Sequence, residues 1–315
     1  MRKAALLYNP DSGGRRTGRQ GELDSVLRLL REAGVDANLL LSHSRHQAGE
    51  RAQQAILAGC DTIFACGGDG TIHNIVQVLA GTQVALAVLP MGTANALAHD
   101  LGLPLNPVAA ARTALRATER RVALGRIQYL DFNGKGAASC FTIAAGIGVD
   151  AHLFYKLNPA LKTQLGMGAY YAKAWHLWFT HRMNWFEVEY TTTGAVGTNK
   201  ASLTELLAVR IRNFGGVVRE LAPGASLQSN ELRLVLCRSE KRTAYLLYVL
   251  RGLLGQRWNI RGVELVDSKH VICSSPAPAM GETQARVYVE ADGELLGTLP
   301  AEITIMPDAL TLLVP

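Results

Sequence analysis

The 315-residue sequence has no apolar run long enough to cross a membrane. A spanning helix needs roughly 18–20 apolar residues, whereas the longest apolar stretches are those at 84–89 and 244–250. The N-terminus starts basic and then apolar, but Asn9, Pro10 and Asp11 interrupt it before it reaches the length of a secretory signal. We therefore expect a cytoplasmic protein, with any membrane contact being peripheral.

Cysteine and the common metal and nucleotide motifs are also scarce. The five cysteines are odd in number, scattered and set in apolar surroundings, which excludes a disulfide framework and a CxxC metal site. The eight histidines show no HExxH spacing. Neither GxxxxGK[ST] nor GxGxxG occurs, so any nucleotide must be held by a different device.

The chain carries a modest excess of positive charge. Its 32 Lys and Arg against 26 Asp and Glu give a formal net charge of +6, which favours acidic partners such as nucleotide phosphates or anionic lipid. The excess is diffuse and no nucleic-acid recognition motif accompanies it, so we expect no nucleic-acid partner.

Strand and helix patterns alternate over the first 120 residues. Strands are predicted at 3–9, 35–42, 61–68 and 83–90, with helices between them, one of them capped by Gly70 or Thr71. Apolar strands that alternate with helices indicate an α/β domain with a mostly parallel sheet. In such domains ligands bind at the carboxyl ends of the strands.

The pattern changes after about residue 120. Short strand-like segments separated by glycine, proline and serine turns predict an antiparallel β-sandwich. Only the segments 162–183 and 240–255 have the pattern of long helices. We therefore expect a nucleotide-binding α/β domain at 1–121, which the C-terminal tail 300–315 could complete, and a β-sandwich domain at 122–299.

Three glycine-bearing loops follow predicted strands. The loop with the most glycines is "CGGDGTIHN" (66–74), at the end of the strand predicted at 61–68. The loops "NPDSGG" (9–14) and "PMGTANALA" (90–98) follow the strands predicted at 3–9 and 83–90. Glycines let backbone N–H groups approach phosphate oxygens, and the following helix N-terminus adds partial positive charge. Asp69 would hold a metal or accept a proton there; the alternative is a tight turn in which Asp69 caps the helix. We expect the three loops to converge on one crevice.

These loops and several later motifs resemble the diacylglycerol kinase and sphingosine kinase superfamily, most closely its bacterial soluble lipid kinases. NAD kinases and phosphofructokinases share GGDGT, but "GTANALA" and the late "DGE" favour the lipid kinases. The motifs follow the family order along nearly the whole chain: "NPDSGG", "GGDGTIHNIVQVL", "PMGTANALAHDLGLP", "IAAGIGVDA", "RNFGGVVRELAPGASL" and "VEADGELL".

The resemblance implies ATP and Mg²⁺ as cofactors, a lipid alcohol as substrate, and 122–299 as the lipid-substrate domain. The residues it places on ATP are Asn9, Ser42, Gly67, Gly68, Asp69, Gly70, Thr71 and Thr93. It makes Glu294 the first candidate for the base that takes the proton of the lipid hydroxyl, followed by Asp292 and Asp69. The alternative for "ADGELLG" is a hairpin turn, which Asp-Gly forms readily.

Two positions depart from the family pattern. Asn74 stands where many relatives have a glutamate, and Ser229 and Asn230 stand where relatives carry Asp-Gly, whose aspartate holds a structural magnesium. Neither change touches the phosphate loops. The ligands of any metal stay unassigned.

Two segments suit a membrane surface. Segment 168–190 concentrates aromatic side chains beside cations, and 241–258 is similarly mixed; both are compatible with headgroup contact or with packing on the sandwich. Arg15, Arg16 and Arg19 are interpreted as a solvated loop, with phosphate or anionic lipid as the alternative ligand.

The leading hypothesis is an ATP-dependent lipid kinase whose lipid enters between the two domains. One rival is a kinase of a soluble acceptor such as NAD. The other is a lipid- or nucleotide-binding module that has lost catalysis.

Overall fold

The computed structural model describes residues 1–10, 18–148, 183–194, 197–215, 220–239, 242–254, 259–276 and 286–315. The chain divides into two units. The first contains Met1–Leu124, Asn213–Val217 and Met306–Pro315. The second contains Gly125–Arg212 and Val218–Ile305.

The first unit is built on a parallel sheet, as predicted. Its strands are β1 (Lys3–Tyr8), β2 (Asp36–Leu41), β3 (Thr62–Gly67) and β4 (Ala85–Pro90), with the end of the C-terminal strand β15 (Glu294–Val314) beside β4. The order is β15-β4-β3-β1-β2 and every pairing is parallel. All residues of β3 and β4 are buried, as in a sheet covered on both faces.

Five helices accompany this sheet. They are α1 (Arg19–Glu32), α2 (Arg45–Leu57), α3 (Asp69–Leu79), α4 (Ala96–Asp100) and α5 (Pro107–Arg116). In α1 the helical spacing of Leu23, Val26 and Leu30 puts all three on the buried face, where they join the core of the sheet. The alternation of strands and helices leaves the loops after β3 and β4 at the same edge of the sheet.

The second unit contains the antiparallel pairings that the sequence predicts. Its strands are β5 (Thr118–Leu130), β6 (Gly136–Phe141), β7 (Ala144–Gly148), β8 (Phe186–Thr191), β9 (Thr198–Leu203), β10 (Glu205–Val209), β11 (Leu232–Cys237), β12 (Val263–Ser268), β13 (His270–Ser274), β14 (Tyr288–Ala291) and the first part of β15. One path of pairings runs β12-β11-β10-β7-β14-β15, and another runs β15-β13-β8-β9. Their buried side chains form one apolar cluster.

Helix α6 (Arg242–Leu253) agrees with the helix predicted at 240–255. Most of the helix predicted at 162–183 lies outside the described residues. Among the helices that the structure describes, none is long and apolar enough to span a membrane.

Candidate active site

Helix α3 begins directly at the end of the glycine loop. Its N-cap is Gly68 and its first residue is Asp69, so the predicted cap at Gly70 or Thr71 is wrong. The Gly68 carbonyl already accepts the N–H groups of Thr71 at 3.0 Å and Ile72 at 3.2 Å. The alternative in which Asp69 caps α3 is also wrong, because Asp69 lies inside the first turn.

The loops after β3 and β4 pack main chain against main chain. A Cβ added at Gly92 would lie 2.4 Å from the Gly68 Cα, and one added at Gly68 would lie 3.0 Å from the Gly92 Cα. The Met91 N–H donates to the Gly67 carbonyl at 3.0 Å and joins the two loops. Only glycine allows this approach, so two of the three predicted loops converge.

Thr71 folds back over the end of β3. A Cβ at Gly67 would lie 2.4 Å from the Thr71 Oγ1, so the absence of a side chain at Gly67 makes room for the Thr71 hydroxyl. Thr71 is itself buried. The glycine spacing therefore positions a hydroxyl beside the bare main chain at the start of α3.

Asn95 shapes the second loop, and the sequence analysis did not single it out. Its backbone is left-handed with φ 51°, and its side chain is buried. The amide oxygen accepts the Gly92 N–H at 2.9 Å, and the amide nitrogen donates to the Gly92 carbonyl at 3.1 Å. Thr93 lies exposed between these two residues. An asparagine before the apolar start of α4 was the available signal, because asparagine tolerates this conformation.

Asp69 connects the two loops. The Leu97 N–H, in the first turn of α4, donates to the Asp69 Oδ1 at 3.4 Å. Asp69 is half-buried. One carboxylate oxygen thus supports the second loop from the first.

Arg19 supports the second loop from α1. Its guanidinium Nη2 donates to the Met91 carbonyl at 2.8 Å, and the side chain is buried. The interpretation of Arg19 as part of a solvated loop is therefore wrong. Arg15 and Arg16 lie outside the described residues.

The remaining predicted nucleotide contacts lie at the ends of β1 and β2. Asn9 follows β1 and is half-buried, while 11–14 of the same motif fall outside the described residues. Ser42 is fully buried, its N–H donates to the Tyr8 carbonyl at 2.9 Å, and its hydroxyl lies 3.4 Å from the same oxygen. Ser42 therefore supports the end of β1 in this structure.

Asn74, where relatives have a glutamate, is used within α3. Its side-chain amide donates to the Gly70 carbonyl at 2.6 Å, one turn earlier in the helix. The Asn74 side chain therefore holds the first turn of α3.

In the second unit, Asp292 and Gly293 form the two-residue turn between β14 and β15. Both have left-handed backbones, with φ 50° and φ 79°. This is the hairpin turn that the Asp-Gly pair predicts. The turn places Glu294, which is half-buried, at the first position of β15.

The Asp292 carboxylate holds the turn to the β6–β7 connection. Oδ1 accepts the N–H groups of Ile143 at 2.8 Å and Ala144 at 3.1 Å. Oδ2 accepts the N–H of Thr142 at 3.0 Å and its hydroxyl at 3.3 Å. The chain therefore breaks between β6 and β7, because the backbone N–H groups of 142–144 bond a carboxylate.

In the described part of the chain, no cluster of three or more His, Cys, Asp or Glu side chains is placed to hold a metal ion. At the position of the family's Asp-Gly, the Ser229 hydroxyl accepts the Glu231 N–H at 3.1 Å. The residues there supply no aspartate and do not fit a structural magnesium.

Comparison with known families agrees with this geometry. The diacylglycerol kinase catalytic domain matches residues 3–127, and the YegS C-terminal NAD kinase beta sandwich-like domain matches residues 144–314. The chain belongs to the diacylglycerol kinase and sphingosine kinase superfamily. It is thus a lipid kinase by family, and the resemblance seen in its motifs is confirmed.

Curated relatives cover almost the whole chain. A diacylglycerol kinase of Bacillus subtilis is 28% identical, covering 96% of this chain and 93% of that protein. A diacylglycerol kinase of Mycobacterium tuberculosis is 29% identical, covering 99% and 95%.

Solved structures share the two-domain lipid-kinase fold. A diacylglycerol kinase from Bacillus anthracis matches with a TM-score of 0.70 at 18% identity, covering 100% of this lipid kinase and 97% of that chain. Yeast NADH kinase matches with a TM-score of 0.51 at 12% identity, covering 100% and 84%. The predicted fold class is therefore confirmed.

Proposed function

We propose that this lipid kinase transfers the γ-phosphoryl group of ATP to the hydroxyl of a diacylglycerol-like or sphingoid lipid alcohol. The observation that supports it most is the contact between the Gly68 and Gly92 main chains, which leaves both loops free of side chains where they meet. When bound, ATP with Mg²⁺ supplies the phosphoryl group.

The nucleotide-binding residues we propose lie on these loops. The N–H groups of 67–71 and the hydroxyls of Thr71 and Thr93 suit phosphate oxygens, and Asn9 lies at the end of the neighbouring strand β1. We propose an indirect role for Ser42 in nucleotide binding. Its hydroxyl donates to the Tyr8 carbonyl and so supports the end of β1, next to Asn9. Asp69 contributes one oxygen to loop support.

We assign the role of general base to Glu294. The Asp292 carboxylate already accepts four hydrogen bonds and is buried, so it suits the task of holding the turn. Glu294 follows that turn directly, is half-buried, and begins a paired strand that fixes its backbone. Asp69 stays the third candidate, because its half-buried carboxylate lies at the start of α3 and accepts the Leu97 N–H of the second loop.

Replacing the carboxylate of Glu294 tests this assignment. Glu294→Gln keeps the shape of the side chain but cannot accept the proton, so lipid phosphorylation falls by roughly a hundredfold or more while ATP affinity is unchanged. The matched control is Glu264→Gln, which removes an exposed ion pair with Arg238 in the same unit. Full turnover in Glu294→Gln, or equal loss in the control, rejects the role of Glu294.

The acceptor is tested with radiolabelled ATP and two substrates, a lipid extract and NAD. Label in the lipid fraction supports the proposal. Label in NAD alone establishes the soluble-acceptor alternative, to which the fold of yeast NADH kinase lends support. Label in neither, with ATP bound, indicates a module without catalysis.

We further propose that α6 contacts the membrane that holds the substrate. Leu247 and Leu250 in α6, and Leu254 directly after its end, follow one another at helical spacing and are 46%, 40% and 57% exposed. Apolar side chains on one helix face suit insertion at the headgroup boundary. The net charge of +6 favours an anionic surface. The aromatic residues of 168–182 lie outside the described residues.

A further inference from the structure

The segment 220–231 of the second unit has no helix or strand, and several of its carbonyl groups accept hydrogen bonds from arginine side chains. Arg233 Nε donates to the Pro223 carbonyl at 2.8 Å, and Arg251 Nη2 donates to the Leu221 carbonyl at 3.3 Å. The Tyr248 hydroxyl bonds the same Leu221 oxygen. Because buried carbonyls need donors, these side chains add to the backbone hydrogen bonds within the segment, in which the Ala225 and Ser229 N–H groups donate to the carbonyls of Ala222 and Ser226.

Arg210 makes the densest set of these contacts. It lies just after β10 and is fully buried. Nη1 donates to the carbonyls of Ser229 and Glu231, each at 2.7 Å, and Nη2 donates to the carbonyl of Leu227 at 3.0 Å. Three carbonyl oxygens from alternating residues thus converge on one positive charge.

Carbonyl oxygens of alternating residues in a turn are also the ligands that hard divalent cations take in proteins. Here the centre of the turn is filled by a guanidinium, and a second positive charge at that place would be repelled. The aspartate that the family resemblance expects here is absent as well, since Ser229 stands at that place and bonds its own turn through the Glu231 N–H.

We propose that Arg210 is a built-in cation for this turn and that it holds 220–231 in place of a bound divalent metal. The second unit is therefore complete without a metal at this position. Burial lowers the pKa of Arg210 to about 10, so the group stays protonated at neutral pH. The inference does not depend on which acceptor is phosphorylated.

Hydrogen exchange of 220–231 tests the proposal, because kinase activity needs Mg²⁺ with the nucleotide in any case. In the full-length protein without nucleotide, exchange in this segment is expected to be equal in EDTA and in Mg²⁺. Slower exchange with Mg²⁺ in the unmodified protein would overturn the proposal.

Variants test both the loss of the arginine and its replacement by a metal ion. Arg210→Ala removes the donor to three carbonyls, those of Leu227, Ser229 and Glu231, so exchange in 220–231 accelerates on the order of tenfold or more. The double variant Arg210→Ala/Ser229→Asp opens the position and adds a carboxylate, and Mg²⁺ is expected to restore part of the protection. Arg238→Ala, which removes an exposed arginine of the same unit, is the matched control and leaves the segment unchanged.

If the variants that lack Arg210 fold poorly, the single variant Ser229→Asp still tests the proposal. Ser229→Asp alone retains Arg210 and puts a carboxylate beside it, so the segment stays independent of Mg²⁺. Metal-dependent protection in Ser229→Asp, or no response to Mg²⁺ in a folded double variant, contradicts the assignment of Arg210.

Discussion

At the scale of single residues, the site depends on two glycines that touch. Gly92→Ala puts a methyl group where only 2.4 Å separates the new Cβ from the Gly68 Cα, and main-chain atoms cannot rotate away. The loops must move apart, and kcat/KM for ATP falls on the order of a hundredfold. Initial rates at varied ATP concentration measure the loss.

The control for this substitution is Gly21→Ala in α1. A Cβ there meets nothing within 4 Å, and replacing glycine by alanine in a helix stabilises by roughly 0.5–1 kcal/mol. Activity is expected to be unchanged and the unfolding midpoint slightly raised. If Gly92→Ala behaves like Gly21→Ala, the close approach of the loops is irrelevant to nucleotide binding.

Arg19 gives a second residue-scale prediction. Arg19→Met removes the donor to the Met91 carbonyl and loosens the second loop, so KM for ATP rises roughly tenfold with a smaller change in kcat. Arg19→Lys retains a donor and recovers part of the affinity. Arg51→Met removes an exposed guanidinium that donates to the Leu41 carbonyl, and it serves as the control. An unchanged KM in Arg19→Met removes Arg19 from the account.

Sequence alone predicted the two loops but not what supports them. Glycines that admit a ligand are visible in the motif, whereas the donor to the Met91 carbonyl comes from Arg19, 72 positions earlier in the chain. Asn95 was overlooked because its role depends on a left-handed backbone that only the fold imposes. Arg210 was overlooked because its acceptors lie 17 to 21 positions later.

At the scale of elements, the β14–β15 hairpin depends on Asp292. Asp292→Ala removes the acceptor of three buried N–H groups and places alanine in a left-handed backbone, which destabilises the protein by about 3 kcal/mol. Asp292→Asn keeps one acceptor oxygen and tolerates the backbone, so the loss is smaller. Urea unfolding measures both. An Asp292→Asn variant with normal stability and no phosphoryl transfer would instead make Asp292 the base.

Helix α6 gives the prediction for membrane contact. Replacing Leu247, Leu250 and Leu254 together by glutamine is expected to weaken binding to anionic vesicles by about a hundredfold or more, since full burial of one leucine contributes roughly 1.5–3 kcal/mol and each of the three is about half exposed before it inserts. Binding of the unmodified protein weakens as salt is added, because the charge contribution is screened. The control Leu57→Gln alters a leucine of the first unit that is 78% exposed, more than any of the three. Equal vesicle binding by the triple variant and the unmodified protein excludes α6 as the contact.

Element types were more predictable than their ends. The apolar runs of β1, β3 and β4 predict buried parallel strands because both faces are covered. Strand β9 ends at Leu203 and β10 begins at Glu205, because the Thr204 N–H between them donates to the Cys237 carbonyl. Such ends depend on hydrogen bonds between distant segments.

At the scale of the whole molecule, labelling of two buried cysteines reports the unfolding of each unit separately. Cys66 at the end of β3 and Cys273 in β13 are fully buried, and burial raises the pKa of both thiols. Both thiols therefore stay protonated in the folded state, even when the pH is raised to about 9, and react slowly with a labelling reagent. Labelling is expected only as each unit unfolds in urea. ATP with Mg²⁺ should delay labelling of Cys66 at least as much as that of Cys273; protection of Cys273 alone would place the nucleotide elsewhere.

The central claim is that bare main chain at Gly68 and Gly92 holds a nucleotide for phosphoryl transfer to a lipid. The most direct measurement is transfer from radiolabelled ATP to a panel of lipid alcohols, separated by thin-layer chromatography, for the unmodified protein and for Gly92→Ala. The account predicts a labelled lipid with the first and a trace with the second. A panel that stays unlabelled with the unmodified protein, or is labelled equally by both, contradicts it.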